Sequence, residues 1–273
     1  MKAVARTLGV ARSSLEPKPA FVRRRGRPPL PADELLEQIK AIIAALPTYG
    51  YRRVHALLRR RAEEAGEPPP NHKRVWRVMK DHELLLARHA GGAVRRHDGR
   101  VAVPERNRRW CSDGFEIACD NGERVRVAFA LDCCDREAMS FVGTTAGISG
   151  DDVRDLMVAA VEHRFGRVNH LPQPIEWLSD NGSPYVARDT RSFARDIGLL
   201  PRTTPLESPQ SNGMAEAFVR TFKRDYVRVG DRPDAETVLR SLPAWFNHYN
   251  EVHPHRALRY QSPRQFIQAN PTT

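Results

Sequence analysis

Cysteine is scarce in this chain and poorly spaced for either of its usual uses. Only four are present, at positions 111, 119, 133 and 134, with no CxxC pair. That leaves a zinc ribbon or a secreted disulfide framework without support, and the four read as small reduced core residues. Long apolar runs are also missing. None approaches the roughly 20 residues of a membrane span, and the N-terminus lacks the apolar core of a signal peptide. The chain is expected to be cytoplasmic, with no membrane partner. Acid is short where base is abundant. Residues 1–109 hold 25 Lys and Arg against 11 Asp and Glu, whereas residues 110–273 hold 19 against 22. All of the net charge of +11 therefore resides in the N-terminal two-fifths. A basic arm joined to a near-neutral domain points to a polyanion, and the preponderance of arginine points to phosphate and base edges.

What is present divides along the chain. Residues 1–31 close on the Pro-rich basic stretch "KPAFVRRRGRPPLP" and read as a flexible tether. Residues 32–88 read as three short helices. Asp33 caps the first, with Leu35, Leu36, Ile39, Ile42 and Ile43 as its stripe; the second runs from about Arg52 to Ala65; Asn71 caps the third, to about Leu84. On that last helix Val75, Val78, Met79 and His82 share one side, while Lys73, Arg77 and Lys80 share the other, with Arg74 at its flank. This is the pattern of a helix-turn-helix unit whose final helix enters a major groove. A solvated basic face is the plainer alternative. Residues 89–109 form a second linker.

Beyond it the periodicity becomes that of strands. "DGFEIACDNGERVRVAFALD" reads as a hairpin turning at Asn121-Gly122. A two-residue turn there sets Asp120 opposite Glu123 and Asp113 opposite Ala130, on one face with Asp132. "AMSFVGTT" gives a third strand, Ser149 caps a helix from Gly150 to Phe165, and "PIEWLS" is a short buried strand ending at "DNGS". A helix near Arg188–Ile197 follows, and then "SPQSNGMAEAFVRTFKRDY". The expected fold is α/β, a mixed sheet flanked by helices over residues 110–230, with a C-terminal helical extension over 231–273.

Four acids matter here. Asp113 starts the first strand, Asp180 closes the strand "IEWLS" where sites gather in open sheets, and Glu216 sits one turn into the helix of the last quoted segment. Met214, Phe218, Phe222 and Tyr226 make that helix's packing stripe, which places Arg220 and Lys223 beside Glu216. An exposed glutamate with an i, i+4 arginine is the ordinary reading of Glu216. Asp132 is the rival of the other three through the hairpin register; alternatively it is a turn acid paired with Arg136. Asp151 and Asp152 read as helix-capping acids. Three converging carboxylates would repel one another unless a cation joined them. Magnesium, with manganese as its substitute, suits such hard oxygen ligands and recruits phosphates; two ions a few ångströms apart can activate a hydroxyl and stabilise a leaving oxygen. "ESPQSNG" is either a mobile lid beside the site or a plain helix entry, and the "HPH" of His253 and His255 is read as locally hydrogen-bonded rather than metal-binding.

These segments resemble a known family. Thirty-five residues separate Asp180 from Glu216, and Asp113 lies 67 positions before Asp180. With "WCSDGFEIACDNGE", "FALDCCDREA", "EWLSDNGSPY", "SPQSNGMAEAFVRTFKRDY" and "FNHYNEVHPHRALRYQSPRQF", that spacing resembles the downstream-frame product of insertion-sequence transposases. The group is the insertion-sequence-two-like one of the insertion-sequence-three family, and the resemblance runs from about Thr48 to Phe266. It implies a ribonuclease-H-like integrase core, with Asp113, Asp180 and Glu216 as a metal-binding DDE triad. Lys223 takes a place associated with transposon-end DNA. The implied activity is metal-dependent end cleavage and strand transfer on double-stranded DNA by a homo-oligomer, nucleoid-associated when bound. An upstream-frame partner or fusion is also implied. A DNA-binding regulator without chemistry, or a metal-dependent nuclease of the same fold, are the competing functions.

Overall fold

The computed structural model describes residues 2–11, 15, 32–87, 102–203 and 213–271. By compactness the chain divides into Met1–Glu34 and Leu35–Thr273. In the first, the described structure includes a short helix, α1 (Lys2–Thr7). The Pro-rich part of the expected tether, most of the second linker and the "ESPQSNG" segment before Gly213 lie outside the described residues.

Three helices follow, α2 (Asp33–Ala45), α3 (Tyr51–Glu64) and α4 (His72–Asp81), of which α3 and α4 are basic. Each forms where the sequence puts an apolar stripe behind a starting signal. Asn71 caps α4 by accepting the Lys73 N–H at 2.8 Å. Val54, Leu57 and Leu58 of α3 and Val75, Val78 and Met79 of α4 are buried. His82 departs from the expected stripe. It is the exposed C-cap residue, because the helix stops at Asp81.

The sheet consists of β1 (Arg109–Ala118), β2 (Arg124–Asp132), β3 (Ala138–Thr144), β4 (Ile175–Ser179) and β5 (Leu199–Thr203), in the order β3-β2-β1-β4-β5. β1 to β3 are antiparallel neighbours, and β4 and β5 join in parallel. Helices α5 (Gly150–Phe165), α6 (Ser183–Val186) and α7 (Arg188–Asp196) follow the early strands. After β5 come α8 (Gly213–Phe222), a π-helical turn (Lys223–Val227), α9 (Ala235–Glu251) and α10 (Pro263–Ala269). Ser149 and Asp152 close α5 with a reciprocal capping box, as expected of that acid.

Alternation along β1 sorts its side chains into two cores. Cys111, Phe115 and Ile117 pack with Phe218 and Phe222 of α8 and with Phe246 and Tyr249 of α9. Trp110 packs on the other face with Val153, Leu156 and Ala160 of α5 and Trp177 of β4. The structure is thus three layers, helix–sheet–helix, with both sheet faces covered. Three cysteines are buried, Cys134 is half-buried, and all four are free thiols.

Two expectations about the sheet need correction. The hairpin turns on three residues rather than two: the Cys119 N–H reaches the Glu123 carbonyl at 2.9 Å, and Gly122 adopts φ +89° as a bulge residue. Asp113 therefore stands opposite Phe129, not Ala130. A one-residue slip reverses the face of every partner, so Asp132 leaves the face of Asp113. It pairs opposite Trp110, fully buried, and accepts the Asn107 and Cys134 N–H groups at 2.7 Å each. Arg164, not Arg136, is its ionic neighbour, at 3.9 Å. The second correction is β5, a strand not expected between the helix near Arg188–Ile197 and α8, in a run that Pro201 interrupts. β5 lies at the sheet edge, where a residue without an N–H is tolerated.

Candidate active site at the sheet end

The parallel pair β1–β4 places the first two acids. Its register is Arg109 with Glu176, Trp110 with Trp177 and Cys111 with Leu178, a constant offset of 67 positions. The same offset separates Asp113 from Asp180, so the register continued two residues further sets them side by side. Parity puts both on the face of Cys111 and Leu178, the face that α8 covers. From α8 comes Glu216, exposed one turn into the helix, while Ala215, Phe218 and Phe222 fix it to the sheet.

Each aspartate is held by main chain rather than by a cation. Asp113 accepts its neighbour's N–H, from Gly114, at 2.7 Å. Asp180 accepts the Gly182 N–H at 3.0 Å in an Asx turn. A Cβ at Gly182 would stand 2.9 Å from Asp180 Oδ1, so a side chain there would displace the carboxylate. Burial, and then the charges of Asp180 and Glu216, push the Asp113 carboxyl up to about 6, against the opposing pull of the Gly114 N–H. Among the described residues no basic side chain forms an ion pair with any of the three. No three of the described His, Cys, Asp or Glu residues are closed into a ready-made metal cage. Asp180 and Glu216 both lie within electrostatic range of Asp113. Two or three hard carboxylate donors with room for water suit magnesium, which binds through one or two carboxylates plus phosphate.

Lys223 lies with its Nζ 5.7 Å from the centre of the Phe115 ring, two residues along β1 from Asp113 and on the same face. Arg220 is exposed on α8. By contrast, Lys73, Arg77 and Lys80 are exposed on α4, and Arg74 is half-buried there. They belong to the helical unit and not to the sheet end. Sequence reasoning missed two supports. Tyr185 of α6 is buried beneath the aspartates and receives the Ser112 hydroxyl's hydrogen bond at 3.1 Å. Asp225, in the π turn that continues α8, is buried and binds Arg53 of α3 at 2.9 Å. The spacing "SDNGSPY" offers a signal for Tyr185, as the aromatic of the short helix after the Asx turn; Asp225 offers none. Buried His253 and half-buried His255 have their rings in contact, and Tyr49 meets His253 Nδ1 at 2.9 Å from 204 positions away. The His253 side chain thus bonds at long range, whereas His255 keeps the expected local bonding through its backbone, to Gln261, Leu258 and Tyr260.

A sheet of this order with acids at its open end and helices on both faces is a ribonuclease-H-like integrase core. Residues 103–209 and 198–263 match two models of the integrase core domain, and residues 31–90 match an HTH-like domain. Over 247 residues the chain is 56% identical to transposase InsD for insertion element IS2A/D/F/H/I/K of Escherichia coli, covering 89% of this chain and 81% of that protein. Identity to InsD for insertion element IS2-9 of strain K12 is also 56%, covering 89% and 80%. The fold is shared, at 13% identity and a TM-score of 0.52, with a chain of the simian T-cell lymphotropic virus intasome in complex with PP2A regulatory subunit B56 gamma. That likeness covers 86% of this chain and 76% of the other. The chain belongs to the IS2-like transposases of the IS3 family. It is a transposase that binds DNA. Among the described residues no helix is long and apolar enough to cross a membrane.

Proposed function

We propose that this transposase cuts insertion-sequence ends and joins their 3′-hydroxyls to target DNA, with Asp113, Asp180 and Glu216 as its catalytic triad. The supporting observation is the shared offset of 67, which aligns the two aspartates across β1 and β4 under the helix that carries Glu216. The three carboxylates would hold divalent magnesium or manganese, two ions per site, which when bound supply activation of the attacking hydroxyl and stabilisation of the leaving oxygen. Gly114 and Gly182 fix the aspartate oxygens through main-chain N–H groups. Arg220 and Lys223 offer cations for the phosphate backbone of the bound strand, beside acids that would otherwise repel it. Lys73, Arg74, Arg77 and Lys80 on α4 bind duplex DNA at the transposon end.

Joining requires two ends at once, so the working form is a homo-oligomer on DNA, with an upstream-frame protein as partner or fusion. The test supplies a pre-nicked end, target DNA and magnesium or manganese, and looks for joined product. Asp113→Asn, Asp180→Asn and Glu216→Gln should each abolish joining while end binding persists. Joining retained in any one of them overturns the triad, and cut but unjoined product from the unaltered chain assigns hydrolysis instead.

A further inference from the structure

The helical unit carries a feature that major-groove docking leaves unused. A cavity of about 390 Å³ opens between the start of α3 and the first turns of α4, lined by Tyr51, His72, Lys73, Trp76 and Arg77. That volume lies within the range of small-molecule sites. Its aromatic walls are charged from both sides. The Lys80 Nζ lies 5.4 Å from the centre of the Trp76 ring, and the Arg52 guanidinium lies 5.7 Å from that of Tyr51. Trp76 is only half-buried, although Val75, Val78 and Met79 around it in sequence fill the core. It shares a side with Lys73 and Lys80, at i−3 and i+4. A tryptophan required only for packing belongs on the other side of this helix.

Intact B-form DNA offers such a cavity little. In the major groove the base faces are covered by stacking, and apolar side chains meet at most a thymine methyl group. An aromatic-walled hollow ringed by cations matches an unstacked base with its flanking phosphates. We propose that the Tyr51–Trp76 pocket takes up an unpaired nucleobase of a DNA strand, Trp76 acting as the stacking platform and Lys73 and Arg77 holding the adjoining backbone. Unstacking a base from a duplex costs a few kcal/mol, least where the base is already unpaired. The pocket therefore favours ends that are frayed or single-stranded over closed duplex, adding a structural preference to the sequence reading of α4.

This inference rests on the DNA-strand reading above, but its test measures binding alone, without metal, so failure here and failure of the triad are told apart. The full chain is titrated with a forked duplex bearing an unpaired thymidine tail and with the same duplex fully paired. The unaltered chain should bind the fork more tightly. Trp76→Ala should lose that preference, with about tenfold weaker fork binding, the scale of one base stack, and little change on the paired duplex. Trp76→Phe should keep most of the preference, and Tyr51→Ala should lower it while leaving the Val75 core untouched. Absence of a fork preference in the unaltered chain overturns the proposal. So does an equal loss on both probes in Trp76→Ala when Trp76→Phe shows the same loss.

Discussion

Two groups of carboxylates in this protein are treated in opposite ways. At the turn between β2 and β3, Asp132, Asp135 and Glu137 are almost wholly buried. Arg164 of α5 serves them together, at 2.8 Å from Asp135 and 3.2 Å from Glu137. His163 and Arg264 add bonds to Glu137 at 3.1 and 3.0 Å. Burial raises the Glu137 carboxyl, but these neighbours outweigh it and hold the group down at about 2. Asp113, Asp180 and Glu216 have no such cation among the described side chains; Asp113 is pushed up to about 6, a value to which burial and Asp132 also raise Asp135 in the first group. Buried acids are tolerated where the fold supplies its own counter-charge. Acids without one are left in want of a cation, and it is that missing counter-charge, not a raised carboxyl, that sets the second group apart. The first group staples α5 and α10 to the sheet, and the second is the one proposed above to hold metal and substrate.

The largest effect should come from the open group. Neutralising Asp180 or Glu216 should reduce joined product by on the order of 10²–10³-fold or more, the loss seen when one stabiliser of transition-state charge is deleted. The melting temperature should hardly move, because neither acid forms an ion pair that the fold depends on. A large thermal loss in Asp180→Asn would erase the contrast between the groups.

Arg164→Ala should do the reverse. Removing the cation that Asp135 and Glu137 share costs about 3–5 kcal/mol, or roughly 10 °C in Tm for a chain of this size. Joining per folded molecule should stay near that of the unaltered chain. Thermal denaturation beside a joining assay at low temperature separates the two quantities, and a small Tm change would mean that water or backbone already satisfies these acids. Asp225→Asn probes an intermediate case. Arg53 and Arg224 both bind that carboxylate, at 2.9 and 2.6 Å, and the bond to Arg53 ties α3 to the π turn that continues the Glu216 helix. A loss of about 1–3 kcal/mol is expected for the weakened charged hydrogen bonds. A fall in joining larger than the fall in end binding would show that the tie also positions α8.

How far this contrast was legible in the sequence depends on the range of each interaction. Local signals served well: Asn71 and Ser149 as caps, and the Met214–Phe218–Phe222 stripe. All three catalytic candidates followed from strand ends, helix phase and family resemblance. What failed was register. Asn121-Gly122 fits a two-residue turn and a three-residue bulged turn equally, and that single ambiguity put Asp132 on the wrong face. Pro201 concealed β5, because a proline argues against a strand until its place at the edge is known. The staples were hidden for a different reason. Arg164 with Asp135, Arg53 with Asp225 and Tyr49 with His253 join positions far apart in the chain, and nothing local marks a partner.

The smallest effect is also the most discriminating. Asp113 has an ordinary carboxyl value of 3.8 that the folded protein raises to about 6. The fold thus binds the protonated acid better than the charged one, so this group's contribution to stability is complete below about pH 4 and is lost as pH rises through 6. Asparagine mimics the protonated form. In metal-free buffer Asp113→Asn should therefore melt higher than the unaltered chain at pH 7, by a few degrees once solvent screening of this half-buried site reduces the gain to about 1 kcal/mol. The difference should close as pH falls toward 4. Magnesium should then reverse the ranking, because a cation bound by the native state alone raises the melting temperature of the unaltered chain and does less for the variant. A gap that is independent of both pH and magnesium would mean that Asp113 is an ordinary surface acid, and the distinction between filled and unfilled carboxylate groups would lose its chemical meaning.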